Sequence, residues 1–228
     1  LSSSFNSDKN IINSRAWIQT AINISKDIET KPYNAAKLKG YLPELRGMTV
    51  KKPKEFLPRM HEIFAECGIA FVLLPHLKNS GVNGAVKWVT DDRVVLAINN
   101  RGVYADKFWF SLFHEIRHVL QQKIKKVFIS STLEEMMDIN NKLEIDADKF
   151  AKNYLISPED YRRLAPSRYI SDDEIVEFAK TIGIHPGIVA GRLQHEGIIP
   201  QERCSKLKEK YVFEIKKMNR QILGKDEM

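Results

Sequence analysis

Apolar residues recur through residues 14–30 at Trp17, Ile18, Ala21, Ile22, Ile24 and Ile28, the spacing of an amphipathic helix. Asn13 or Ser14 would cap it and Lys31-Pro32 would end it. A second helix is expected over about 34–45, with Gly40 and Pro43 set against it. A linker over 47–53 leads to a third helix at 55–67, closed by Gly68. The texture then changes. Residues 69–74 form a continuous apolar run ended by Pro75, which predicts a buried strand. Residues 84–89 and 93–98 flank Thr90-Asp91-Asp92 and read as a hairpin whose first strand would offer an edge to an extended peptide.

Helical periodicity returns at 106–121, with Asp106 as the expected N-cap. Residues 122–140 read as polar and irregular, and 143–156 as a strong helix ended by Ser157-Pro158. Ser171-Asp-Asp-Glu174 is a capping box opening a helix to about Ile182. Pro186 starts another helix that reaches His195 and stops at Gly197. A basic C-terminal helix is expected over 205–223, carrying Lys206, Lys208, Lys210, Lys216, Lys217 and Arg220. Helices, then a small sheet, then helices define an α+β fold, with the sheet packed on a helical core and helices flanking it at both ends. The expected division is an N-terminal helical segment at 1–53, a main domain at 54–200 and the basic C-terminal helix at 201–228.

Composition narrows the function classes. No stretch of 18 apolar residues is present, and the N-terminus lacks the basic start and apolar run of a signal peptide, so a cytoplasmic protein off the membrane is expected. Cys67 and Cys204 are too few and too far apart for a disulfide framework or a cysteine zinc site. The net charge of +7 leaves direct nucleic-acid binding open, but dispersed lysines favour a solvated surface.

The chemistry concentrates at His114-Glu115-Ile116-Arg117-His118, an H-E-x-x-H inside an apolar helix. Positions i and i+4 stack on one helical face, so His114 and His118 can offer two imidazole nitrogens to one metal ion. Glu115 sits roughly 100° around the helix, placed to act as a base on water. A catalytic zinc needs a third protein ligand. Glu144, Ala147, Asp148 and Ala151 form one stripe of the 143–156 helix, with Glu144 the favoured ligand and Asp148 able to orient a histidine. Asp146 competes for the ligand role from the opposite side of that helix.

The E-x-x-x-D pair on a separate helix resembles the thermolysin-like, or gluzincin, metallopeptidases. A more particular resemblance joins Phe108-Trp-Phe-Ser-Leu-Phe-His-Glu-Ile-Arg-His-Val-Leu120 and Glu144-x-Asp-Ala-Asp-x-Phe-Ala151 to the ImmA/IrrE family of metallo-endopeptidases. The likeness extends over about residues 33–200. It implies a zincin-like core holding one zinc per chain, or another divalent ion such as manganese, on His114, His118 and Glu144. It also implies a cytoplasmic endopeptidase that cleaves a helix-turn-helix repressor or antitoxin-like partner. The same likeness makes Arg192 and His195 candidates for stabilising the oxyanion. Arg117 departs from the family, whose members often carry Gly there. The rival reading is a regulatory module of the same fold that binds a repressor or DNA without turnover, with the basic C-terminal helix as its supporting feature.

Overall fold

In a computed structural model, residues 2–99, 104–121, 133–164 and 170–213 are described. The chain divides into two compact units, one of Leu1–Tyr41, Pro53–Gly102 and Val212–Met228, the other of Leu42–Lys52 and Val103–Tyr211. The fold is α+β and mostly helical.

The first unit is organised on a three-stranded mixed sheet. Strands β1 (Ile69–Leu74), β2 (Gly84–Thr90) and β3 (Arg93–Asn99) lie in the order β1-β3-β2, with β3 parallel to β1 and antiparallel to β2. The apolar run of β1 is buried along its whole length because helices cover both of its faces. Alternate residues Ala70, Val72 and Leu74 join Val95 and Ala97 in a core with Trp17, Ala21 and Ile28 of the N-terminal segment. On the opposite face Phe71 meets Phe64, with ring centroids 5.2 Å apart, and His61 at 5.0 Å. Burial drives the His61 imidazole down to a pKa of about 4, so it serves as a neutral core residue.

Helix α1 spans Ser2–Ser25, starting well before the expected Asn13 or Ser14 cap. Helix α2 spans Ala35–Gly47 and passes through Gly40 and Pro43, since Leu38, Leu42 and Leu45 make a buried stripe along it. Asn34 caps it by accepting from the Lys37 amide at 2.9 Å. The division between the units falls inside this helix. The expected linker after it is a 3-10 turn, Met48–Val50, with Met48 and Thr49 buried. Helix α3 is Pro53–Glu66, and Gly68 follows at φ +80°. A Cβ on Gly68 would stand 2.4 Å from the Tyr33 backbone, so only glycine fits this return to β1.

The second unit is helical: α4 (Ala105–Leu120), α5 (Leu133–Leu155), α6 (Pro158–Leu164), α7 (Asp172–Ile182) and α8 (Pro186–His195). Helix α4 is central, packing on α5 and α8. Its buried stripe is Phe108, Trp109, Leu112, Phe113, Ile116 and Val119. Ala147 and Ala151 of α5 are fully buried, and Phe113 stacks on Tyr154 at 5.2 Å. Gly191 lets α8 approach the start of α4, where a Cβ would meet the Asp106 carboxylate at 2.5 Å. The Arg46 guanidinium donates to the carbonyls of Tyr154, Leu155 and Ile182, tying the C-terminal ends of α5 and α7.

Three expectations are corrected here. The N-cap of α4 is Tyr104, without a side-chain bond, and Asp106 lies within the first turn. The reason is tertiary: the Glu209 carbonyl accepts from the Ala105 amide at 2.9 Å, and Tyr104 pairs antiparallel with Lys210. The same pairing replaces the start of the expected C-terminal helix by a 3-10 turn, Ser205–Leu207, and an extended segment. Lys208 there donates to Asp106 at 2.8 Å, and the buried Tyr211 hydroxyl accepts from Trp109 Nε1 at 2.9 Å. Lys216, Lys217 and Arg220 lie outside the described residues. Finally, α5 begins at Leu133, ten residues before the expected helix, while 122–132 are not described.

The capping box stands as expected. Ser171 Oγ accepts from the Glu174 amide at 3.2 Å, and the Glu174 carboxylate accepts from the Ser171 amide at 2.7 Å. Ser171→Ala is expected to cost about 1 kcal/mol. Urea unfolding checks it, and an unshifted midpoint would remove the cap from the account.

Candidate metal centre

The site is built by two helices of the second unit. The buried stripe of α4 fixes its rotation, and the i, i+4 spacing then stacks the two imidazoles, with ring centroids 4.6 Å apart. His118 is only 8 % exposed. The alanines of α5 bring its backbone close enough for Glu144 to reach both rings. His114 Nε2 lies 3.2 Å from Glu144 Oε2, His118 Nε2 lies 3.3 Å from Glu144 Oε1, and the two Nε2 atoms are 2.9 Å apart. His114, His118 and Glu144 form the group among the described residues whose ligand atoms could hold one metal ion.

The outward nitrogens show what those inner atoms are. His114 Nδ1 stands 2.8 Å from Asp148 Oδ1, and a carboxylate can only accept, so Nδ1 carries the proton. His118 Nδ1 stands 2.9 Å from Gln121 Oε1. The Gln121 amide is oriented by its other end, where Nε2 donates to the Leu143 carbonyl at 3.1 Å and to Asp146 Oδ2 at 2.7 Å. Its oxygen therefore faces His118, which must donate from Nδ1. In the neutral form of each ring this leaves the Nε2 lone pairs directed at each other and at the Glu144 carboxylate. The repulsion of three such acceptors is relieved by a divalent cation between them or by a proton on one Nε2.

The distances fit such a cation. Metal–ligand bonds of about 2.0–2.1 Å in a tetrahedron place neighbouring donors roughly 3.3–3.4 Å apart. The two nitrogen–oxygen separations of 3.2 and 3.3 Å match that edge, and the nitrogen pair at 2.9 Å is slightly tighter. Two neutral imidazoles and one carboxylate suit a borderline-soft divalent ion. The Glu144 side chain is 61 % exposed, so one side of the group opens to solvent.

Asp146 takes no ligand position. It accepts from Arg117 Nε at 2.6 Å as well as from Gln121, and the Arg117 guanidinium lies 5.4 Å from the Phe150 ring centroid. Burial acts to raise the Asp146 carboxyl, but the bonds from Arg117 and Gln121 outweigh it and hold the group below its ordinary range. Arg117, which sequence left without a role, is thereby placed. Glu115 is 8 % exposed, next to His114 on α4.

Arg192 and His195, the residues expected to stabilise an oxyanion, both lie on α8. Arg192 donates to Glu196 at 2.6 Å and to the Lys152 carbonyl at 3.0 Å, and it lies over the Tyr161 ring. Burial acts to raise the Glu196 carboxyl, but Lys152, Tyr161 and Arg192 together bring it down to about 2, which marks a structural ion cluster. His195 is exposed at the last position of α8. His185 caps α8, its Nδ1 accepting from the Gly187 amide at 3.0 Å. Gln121 is the member that sequence reasoning missed. The available signal was its position three residues after His118, one helical turn along the same face.

No family model matches this sequence, and no curated protein is significantly similar to it.

Proposed function

We propose that the chain is a zinc-dependent endopeptidase with a zincin-like core, using His114, His118 and Glu144 as metal ligands and Glu115 as general base. The observation that carries the reading is the convergence of two imidazole Nε2 atoms and a carboxylate within 2.9–3.3 Å, each histidine facing an acceptor on its far nitrogen. A bound divalent ion would polarise the scissile carbonyl and make water at the site more acidic.

The chain's own residues do the rest. Asp148 and Gln121 keep the Nδ1 protons in place, so each imidazole presents Nε2 to the ion. Glu144 supplies the negative charge that partly offsets a divalent ion. Glu115 takes a proton from the attacking water and returns it to the leaving amine. Arg192 braces α8 against α5 in this scheme through the Lys152 carbonyl.

The substrate class follows from the sequence likeness to the ImmA/IrrE family: a helix-turn-helix repressor or antitoxin-like partner, met in the cytoplasm. No helix among the described residues is long and apolar enough to cross a membrane. The test is incubation with a helix-turn-helix repressor encoded beside this chain, followed by mass spectrometry of the fragments. Cleavage is expected to stop on chelation and to return with one equivalent of zinc. Cleavage indifferent to chelation would remove the metal from the mechanism.

A further inference from the structure

The two imidazoles are oriented by groups of different kinds. His114 has a carboxylate, Asp148, whose two oxygens are both acceptors, so either end serves. His118 has an amide, and an amide has a wrong end. Turned over, Gln121 would aim N–H groups at His118 Nδ1, move the ring proton to Nε2 and close the nitrogen that faces Glu144. Nothing in Gln121 itself prevents this.

What prevents it is a relay across α4 and α5. Gln121 Nε2 has two acceptors, the Leu143 carbonyl and Asp146 Oδ2. Turning the amide over would set its oxygen against both of them and lose both bonds. Asp146 Oδ2 in turn accepts from Arg117 Nε at 2.6 Å. Arg117 precedes His118 on α4, so His118, Gln121, Asp146 and Arg117 close a ring that starts and ends on one helix. Gln121 is 2 % exposed, whereas the Arg117 and Asp146 side chains are 33 % and 43 % exposed. The ring therefore runs from solvent to a buried ligand.

We infer that Gln121, held by Asp146 and Arg117, is a positioning residue that fixes the tautomer and aim of His118 and so sets metal affinity from outside the ligand set. The inference rests on the metal-site reading above, but its tautomer half is readable without metal. Outer partners of metal-bound histidines typically govern affinity by about 10–100-fold.

The experiment uses the full chain and two readouts: zinc affinity by competition with a chromophoric chelator, and the imidazole nitrogen-15 shifts of His118 in metal-free protein. Wild-type protein is expected to show His118 protonated at Nδ1. Gln121→Leu is expected to populate the Nε2-protonated form and to weaken zinc binding about 10–100-fold. Arg117→Met, at a partly exposed position that folding tolerates more readily, is expected to move both readouts the same way by about tenfold in affinity. Arg117→Lys, which keeps a cation beside Asp146, should recover most of that loss. A general loss of packing would not shift a single imidazole between tautomers, nor would Lys relieve it. If both Gln121→Leu and Arg117→Met keep the Nδ1 tautomer and wild-type zinc affinity, the relay is wrong while the metal site stands. If wild-type protein takes up no zinc, the metal reading fails, and the metal-free spectra still decide the relay.

Discussion

Glu115→Gln is expected to lower peptide hydrolysis by roughly 10²–10⁴-fold, the ordinary contribution of a general base, with metal content at the wild-type level. Three features of the site lead there. Glu115 is next to a ligand, yet it is not one of the three residues whose donor atoms converge. It is 8 % exposed, so the amide replacement keeps volume and packing where bulk solvent has little access. Gln can still accept a hydrogen bond but cannot hold a proton at neutral pH. The measurement is kcat with a cleavable repressor, beside elemental analysis of the same preparation. Undiminished turnover would take the base role from Glu115. Lost zinc would instead make it a structural member of the metal site.

His118→Ala is expected to weaken zinc binding by more than the roughly 10–100-fold that loss of an outer partner costs. It removes one of three donors and leaves Gln121 Oε1 facing a cavity where an N–H had been. Asp148→Asn is the matched comparison, since it keeps an oxygen for His114 Nδ1 and should fall within the outer-partner range. Thermal unfolding supplies the check. A ligand at 100 times its Kd stabilises by about 2.7 kcal/mol, so added zinc should raise the wild-type midpoint and leave that of His118→Ala unmoved. Equal zinc-induced shifts in the two proteins would place the metal elsewhere.

What sequence made legible follows from the range of the forces involved. The stacking of His114 and His118, the shared stripe of Glu144, Ala147, Asp148 and Ala151, and the Ser171–Glu174 box are all fixed within one helix by its own geometry. The sheet elements were legible because β1 is apolar throughout and Asp91-Asp92 interrupts two apolar strands. The misread features depend on partners far along the chain. Asp106 has the chemistry of a cap, but the Glu209 carbonyl takes that place from 104 positions away. The lysine-rich stretch after Cys204 has helical composition, but in its described part, up to Phe213, burying Tyr211 against Trp109 and pairing Lys208 with Asp106 stabilise an extended path after the 3-10 turn. Helix α1 begins upstream of its apolar stripe, among polar residues that carry no periodic signal, whereas Leu133, Met136 and Met137 at the start of α5 do have the i, i+3, i+4 spacing of a helix, which the reading of 122–140 as irregular passed over. Gln121 and the Arg117–Asp146 pair stayed hidden because the relay spans two helices, and an amide or ion pair on a helix is ordinarily solvated.

Two imidazoles and one carboxylate that converge as His114, His118 and Glu144 do should hold a divalent ion. The most direct measurement is elemental analysis of protein purified without chelators, wild type beside His114→Ala/His118→Ala. About one zinc per wild-type chain is expected, and essentially none in the double variant. Wild-type protein free of divalent metal, or a double variant that retains its full equivalent, would contradict it.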